Sequence, residues 1–137
     1  MAADKVTFSL VSPERELFHG EVDSVVVPGV EGEFGVLPGH ALVLSIIKPG
    51  VLRILDGAAA RRIFVNGGFA DVTPDGLTVL AEEAFDLATV ELNAAALDAE
   101  IRDASEDVRD AATDHARAVA QAKIVRAEAL KAALASR

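Results

Sequence analysis

The amino-acid sequence predicts a turn-rich antiparallel β domain over residues 1–90, either a sandwich or a barrel, followed by a helical region over residues 91–137. All ten glycines and all five prolines lie within residues 1–76. By contrast, sixteen alanines occur among residues 94–137. Glycine and proline interrupt regular structure, whereas alanine is the strongest helix former. The change in composition therefore separates a β region from a helical one.

Short apolar segments separated by turn residues predict the strands. In residues 6–10 apolar and polar side chains alternate, which is the pattern of a half-buried strand. Asp-Gly at residues 56–57 and Asn-Gly at residues 66–67 predict hairpin turns, because these residues tolerate positive φ. The further predicted strands are residues 16–20, 22–27, 41–48, 51–55, 61–65, 69–73 and 77–81. Strands of about five residues, with no helical segment between them, favour a sandwich or barrel over a βαβ core.

Two apolar stripes with helical spacing predict the helices, and Asn93 and Thr113 are suitable N-caps for them. The first stripe is Leu97, Ile101, Ala104, Val108 and Ala111, and the second is Ala116, Ala120, Ile124, Ala127, Leu130 and Leu134. Residues 92–112 have a net charge of −4 and residues 113–137 a net charge of +3, so two antiparallel helices would attract each other. Because no glycine or proline lies near residue 112, one helix of about 44 residues is the alternative to a hairpin.

Composition excludes several functions. The net charge of −9 argues against a nucleic-acid partner, since binding to a phosphate backbone requires excess lysine and arginine. The absence of cysteine excludes disulfides, thiolate zinc sites and a cysteine nucleophile. No apolar run approaches the roughly 18 residues of a membrane span, and the N-terminus does not resemble a signal peptide. We expect a soluble, intracellular, acidic chain.

The segment VPGVEGEFGVLPGHAL, residues 27–42, contains four glycines, two prolines and the polar residues Glu31, Glu33 and His40. A catalytic carboxylate pair requires one desolvated acid, and the glycine-rich surroundings predict exposure to water instead. The other histidines lie in other predicted elements, which argues against a metal site. The segment is therefore predicted to be a fixed, protruding loop with exposed apolar residues that a partner covers, namely Phe34, Val36 and Leu37. Neither a phosphate-binding loop nor a serine-nucleophile motif is present, so we predict no enzymatic activity and no cofactor.

The same segment closely resembles the epsilon subunit of F-type ATP synthases, called delta in mitochondria, as do SIIKPGVLRIL and IFVNGGFADVTPDGLTVLAEEA further along. The resemblance covers nearly the whole chain. It implies an N-terminal antiparallel β-sandwich over residues 1–90 and a C-terminal antiparallel helical hairpin over residues 91–137. It also implies a non-catalytic rotor subunit in the central stalk of the F1 sector, which couples proton translocation to ATP synthesis.

The partners that this resemblance implies are the gamma subunit, the c ring and the catalytic hexamer of alpha and beta subunits. The chain would then lie peripherally at the cytoplasmic face of the bacterial plasma membrane, without inserting into it. The residues that match the family's interface with the c ring and gamma are Glu31, Gly32, Glu33, Phe34 and His40. In this family the hairpin can extend toward the catalytic head and restrain ATP hydrolysis. From their charge, we expect four residues to meet the acidic segment of the beta subunit: Arg117, Lys123, Arg126 and Lys131.

Two departures from the family pattern stand out. Leu42 replaces a proline that often follows Pro-Gly-His-Ala. Some bacterial members bind ATP through the motif I/L-D-x-x-R-A, but here Leu97-Asp98 is followed by an arginine one position late, at Arg102. One position on a helix rotates a side chain by about 100°, so we predict no ATP site. The alternatives to a rotor subunit are a nucleotide-sensing regulatory module and an unrelated sandwich adaptor with a coiled-coil tail.

Overall fold

A computed structural model describes residues 5–39 and 41–136, and its described residues form ten strands and two helices. The chain divides into two compact units, residues 1–88 and 89–137. The first unit contains the strands, which are β1 (Val6–Val11), β2 (Glu16–Val22), β3 (Ser24–Gly29), β4 (Gly32–Val36), β5 (Val43–Ile46), β6 (Gly50–Asp56), β7 (Ala59–Asn66), β8 (Phe69–Thr73), β9 (Gly76–Leu80) and β10 (Glu83–Asp86). The second unit contains the helices, which are α1 (Ala94–Asp110) and α2 (Asp114–Ala135).

The first unit is a sandwich of two five-stranded sheets, which confirms the predicted fold class. One sheet has the order β2-β1-β9-β8-β5 and the other β10-β7-β6-β3-β4. Apolar side chains from alternate positions of both sheets meet between them, among them Phe8, Leu10, Val25, Leu52 and Val79. Full burial of one such side chain stabilises the fold by about 1.5–3 kcal/mol. The core thus follows directly from the period of two in the strand sequences.

One pairing differs from the antiparallel expectation. Among the described residues, seven strand pairs are antiparallel, whereas β1 and β9 run parallel, with Phe8 opposite Leu77 and Leu10 opposite Val79. A parallel pair requires a long connection, and here strands β2 to β8 provide it. This pairing places β1, the first strand of the sandwich, beside the hairpin that β8 and β9 form.

The glycine-rich segment is not the protruding loop that the sequence predicted. Residues 24–36 form the β3–β4 hairpin, in which Val25 pairs with Val36 and Gly29 pairs with Gly32. Val36 is only 1% exposed and belongs to the core, so its predicted exposure is wrong. Phe34 is half-buried against the core, and only Leu37 of the three apolar residues is largely exposed, at 61%. Phe34 and Val36 alternate with polar or small residues, a strand pattern that the glycines obscured.

The second unit is a helical hairpin, and the alternative of a single long helix is wrong. Both predicted caps are present: Asn93 Oδ1 accepts a hydrogen bond from the amide of Ala96 at 2.7 Å, and Thr113 Oγ1 accepts one from Ala116 at 3.0 Å. Ala111 leaves the helical conformation, with φ −63° and ψ 126°, and ends α1. The chain can therefore turn without glycine or proline, because Thr113 begins a new helix at once. The two helices pack against each other.

Candidate interaction surface

The tip of the β3–β4 hairpin, residues Val30 and Glu31, is held against the other sheet. The amide of Val30 donates to the carbonyl oxygen of Ile46 at 3.0 Å, and Gly29 forms an isolated bridge with Ile47. A side chain at Gly29 would meet Phe34 and Ser45 at 3.0 Å, so this close approach requires glycine. These contacts fix the position of the exposed Glu31 relative to β5.

The predicted interface residues do not form one cluster. Glu31 and Gly32 lie at the tip and are exposed. Phe34 points inward and packs against the core, so it is not an exposed contact residue. His40 lies outside the described residues. The adjoining residues Leu37, Pro38 and Gly39 line a small cavity with Lys5 and residues 73–76. That cavity is at the opposite end of β4 from the tip, about 16 Å away for five residues of strand.

Glu33 lies on the outer face of its sheet, where it pairs with Arg53. The Arg53 Nη2 atom is 3.2 Å from Glu33 Oε1. Both side chains border β3, since Glu33 is opposite Pro28 and Arg53 is opposite Val26. The structure therefore distinguishes the two carboxylates of the hairpin: Glu33 has an internal counter-ion and Glu31 projects at the turn. Arg53 was not anticipated from the sequence, because a pair separated by twenty residues depends on the order of the strands.

An apolar patch adjoins the tip and was also missed. It consists of Leu44 and Ile46 on β5, Phe69 on β8 and Leu80 on β9. Ile46 pairs with Phe69, which pairs with Leu80, so the three form a continuous row on the outer face of the sheet. Leu44 is 71% exposed, Ile46 59% and Phe69 38%. Clusters of exposed apolar side chains indicate interaction sites. The run ALVLSII at residues 41–47 could have indicated this patch, because it places apolar residues on both faces of β5, and only one face of that edge strand can pack against the core.

Three of the four basic residues predicted to contact a partner face α1 within the second unit. Lys131 Nζ is 2.6 Å from Asp98 Oδ1, and Arg126 Nη1 is 3.6 Å from Glu100 Oε2. Lys123 lines a groove with Arg126 and several α1 residues, namely Glu100, Asp103, Ala104 and Asp107. Arg117 instead pairs with Asp114 on its own helix at 3.1 Å. The predicted attraction between an acidic and a basic helix is thus realised in specific ion pairs.

No group of three or more potential metal ligands occurs in residues 5–39 and 41–136. The displaced Arg102 points into solvent and lies 3.8 Å from Asp103, and it does not line the groove between the helices. No helix among the described residues is long and apolar enough to cross a membrane.

Comparison with known proteins identifies the family. The sequence profile of the ATP synthase delta/epsilon chain β-sandwich domain matches residues 5–86. The chain is also 50% identical over 133 residues to the ATP synthase epsilon chain of Maricaulis maris, and the alignment covers 97% of this chain and 98% of that one. This chain belongs to the ATP synthase epsilon chain family. As a member of that family it is a non-catalytic subunit of ATP synthase.

Two further comparisons show how much of this chain other proteins share. The epsilon chain of Caulobacter vibrioides is 54% identical over 84 residues, which make up 98% of its own length but 61% of this chain. Among solved structures, a chain in the cryo-EM structure of Euglena gracilis mitochondrial ATP synthase has a TM-score of 0.83 at 23% identity, and covers 96% of this chain and 82% of that one. The fold described above is therefore shared with a solved structure over both of its units.

Proposed function

We propose that this chain is a rotor subunit in the central stalk of F1, which binds gamma and the c ring and couples proton translocation to ATP synthesis. The observation that carries the proposal is the apolar patch beside a fixed acidic tip, in a member of the epsilon chain family. A catalytic site would need activated groups in a cleft, whereas this surface presents exposed apolar side chains beside a single projecting carboxylate. Its properties are those of a docking surface between subunits.

The two parts of this surface suit different partners. Apolar area excluded from water is the main source of stability in lasting interfaces, so the patch of Leu44, Ile46, Phe69 and Leu80 binds gamma. Glu31 at the tip meets basic loops of the c ring, where a charged contact fixes orientation more than it adds affinity. The chain thereby sits peripherally at the cytoplasmic face of the bacterial plasma membrane. Residues 37–39, beyond the far end of β4, face a different part of the complex from Glu31.

The helical hairpin has a separate role in restraining ATP hydrolysis. As one extended helix, residues 94–137 would reach about 65 Å, enough to approach the catalytic hexamer. Arg117, Lys123, Arg126 and Lys131 then contact the acidic segment of the beta subunit. The Caulobacter relative supports this division, since its aligned length is close to that of residues 1–88 alone. In this proposal the sandwich couples proton translocation to ATP synthesis, and the hairpin restrains ATP hydrolysis.

Removal of the hairpin from the assembled enzyme tests this function. ATP synthase reconstituted with residues 1–91 should retain the chain, pump protons and hydrolyse ATP faster than the enzyme with the full chain. Unchanged hydrolysis would contradict the restraint. Failure of the full chain to co-purify with gamma would contradict the central-stalk assignment itself.

A further inference from the structure

The four edge strands of the sandwich differ in how well they are protected from pairing with a further strand. These edges are β2 and β5 in one sheet and β10 and β4 in the other. Charged side chains on an edge discourage such pairing. Three of the edges carry acidic residues, namely Glu16 and Glu21 on β2, Glu33 on β4, and Glu83 and Asp86 on β10. Strand β5 has the sequence VLSI, without charge, glycine or proline, so it is the edge best suited to accept another strand.

The hydrogen bonds at the end of β5 show which of its backbone groups are free. On the side of β8, the amide of Ile47 donates to the carbonyl oxygen of Gly68 at 3.0 Å. On the opposite side, the carbonyl oxygen of Ile46 accepts from the amide of Val30. Because β5 pairs with β8 without a register shift, backbone groups of alternate residues point to opposite sides. The N–H and C=O groups of Leu44 therefore point away from β8, and they have no hydrogen-bond partner in the described part of the chain.

We propose that a strand of the partner that covers the apolar patch pairs with β5 and extends its five-stranded sheet. The side chains of Leu44 and Ile46 belong to that patch, so backbone pairing at Leu44 continues the same interface. The strand is an extended, uncharged segment of gamma, and the inference therefore rests on the proposed function. In strand addition, main-chain hydrogen bonds supply affinity, and the alternate side chains of the added strand supply specificity.

The surroundings of β5 restrict what can occupy this edge. Val30 already fills the place beside Ile46, so the added segment is short and turns away after the residue opposite Leu44. In a symmetric antiparallel pair of two β5 strands centred on Leu44, Leu42 of one copy would need the place that Val30 fills in the other. A different chain is therefore favoured over a second copy. Its side chains on the outer face lie beside Leu42 and Leu44, which are 72% and 71% exposed, so they are apolar.

Amide hydrogen exchange tests strand addition in the complex of the full-length chain with purified gamma. The N–H group of Leu44 should exchange rapidly in the free chain and at least about tenfold more slowly in the complex. The internal control is the neighbouring amide of Ser45, which points toward β8 and is protected in both states. A complex in which the exchange of Leu44 is as fast as in the free chain would overturn the inference.

Two substitutions at Leu44 separate the effect of its backbone from that of its side chain. Leu44→Ala removes the apolar side chain and retains the N–H group, whereas Leu44→Pro removes both. An edge position whose N–H group faces away from the sheet tolerates proline. We expect Leu44→Pro to bind gamma about fivefold more weakly than Leu44→Ala. Equal Kd values for the two folded variants would contradict strand addition, and the exchange measurement on the unaltered chain does not depend on the folding of either variant.

The same binding measurements distinguish this inference from the proposed function. If Ile46→Glu weakens the binding of gamma while Leu44→Pro and Leu44→Ala bind alike, the patch docks gamma and strand addition is wrong. If gamma does not bind the wild-type chain, the proposed function is wrong, and gamma is not the occupant of β5. Sedimentation equilibrium of the chain alone tests the other occupant: a dimer that Leu44→Pro abolishes would assign the edge to a second copy and refute the inference.

Discussion

The amide nitrogen of Val30 lies 3.0 Å from the carbonyl oxygen of Ile46. This bond joins the tip of the β3–β4 hairpin to the edge strand of the opposite sheet, next to the isolated bridge between Gly29 and Ile47. It makes the acidic tip and the apolar patch parts of one rigid surface. A partner that covers Ile46 is thereby placed at a fixed distance from a partner that contacts Glu31.

The two carboxylates of the hairpin should differ in importance for binding the c ring. Glu31 projects at the turn, whereas Glu33 is paired with Arg53. We expect Glu31→Gln to weaken the affinity of the chain for an isolated c ring by about threefold or more, and Glu33→Gln to have less than about half that effect. Glu21→Gln, on the outer face of the other sheet, is the control for loss of charge. A larger effect of Glu33→Gln would contradict this division.

Gly68 should be essential for the stability of the sandwich. Its φ is +98°, and a Cβ atom there would overlap the carbonyl oxygen of Leu80. Gly68→Ala is therefore expected to lower the free energy of unfolding by more than about 1 kcal/mol, and Tm by more than about 4 °C. Gly35→Ala is the control, because a Cβ atom at Gly35 meets nothing within 4 Å. Calorimetry showing equal Tm values for the two variants would refute the steric explanation.

The N-caps should control fraying of the hairpin. Asn93→Ala removes the oxygen that accepts from the Ala96 amide, at a cost of about 1 kcal/mol to α1. Hydrogen exchange at Ala96 should then be about fivefold faster. Ser105→Ala is the control, since the Ser105 hydroxyl donates to Ile101 within the helix and caps nothing. Unchanged exchange at Ala96 would show that the cap does not limit opening.

The ion cluster at Lys5 predicts a pH dependence of stability. Lys5 Nζ lies 2.7 Å from Asp23 Oδ1 and 2.6 Å from Asp56 Oδ1. These bonds, the one to Asp23 first, raise the pKa of Lys5, while the bonds from Lys5 and the Gly57 amide lower the pKa of Asp23. A lysine whose pKa is raised on folding stabilises the fold at pH values below its unfolded-state pKa of about 10.4. An aspartate whose pKa is lowered on folding stabilises the fold at pH values above its unfolded-state pKa of about 3.9.

The contribution of this cluster should therefore be present from about pH 4 to pH 10. It should be lost as the pH falls through the lowered pKa of Asp23, or rises through the raised pKa of Lys5. Urea unfolding of the wild type and Lys5→Met should differ most near neutral pH and converge in acid. Lys48→Met controls for loss of a surface charge. A difference between wild type and Lys5→Met that persists below the pKa of Asp23 would contradict the role of the ion pair.

Local signals in the sequence predicted much of the fold. Asn93 and Thr113 each act on an amide three residues away, so their capping role was evident without tertiary information. The alternation in residues 6–10 likewise determined which side chains enter the core. Strand β4 was missed because its two glycines outweighed the alternation of Phe34 and Val36.

The functional surface was harder to predict because it depends on contacts between distant segments. The apolar row joins three strands, and only the pairing of β8 with β5 and β9 places Phe69 between Ile46 and Leu80. The pair of Arg53 with Glu33 likewise requires both strands to border β3. A resemblance to a family indicates that such a surface exists, but the assignment of individual side chains to it requires the order of the strands.

The affinity of the full-length chain for purified gamma is the most direct test of the patch as a docking surface. Ile46→Glu places a charge at the β5 end of the apolar row, beside the hairpin tip, and should weaken binding at least tenfold in Kd, since full burial of isoleucine alone contributes about 1.5–3 kcal/mol. Ala58→Glu adds the same charge at the turn between β6 and β7, away from the patch, and should bind gamma like the wild type. An unchanged Kd for a folded Ile46→Glu variant would contradict the proposed gamma interface.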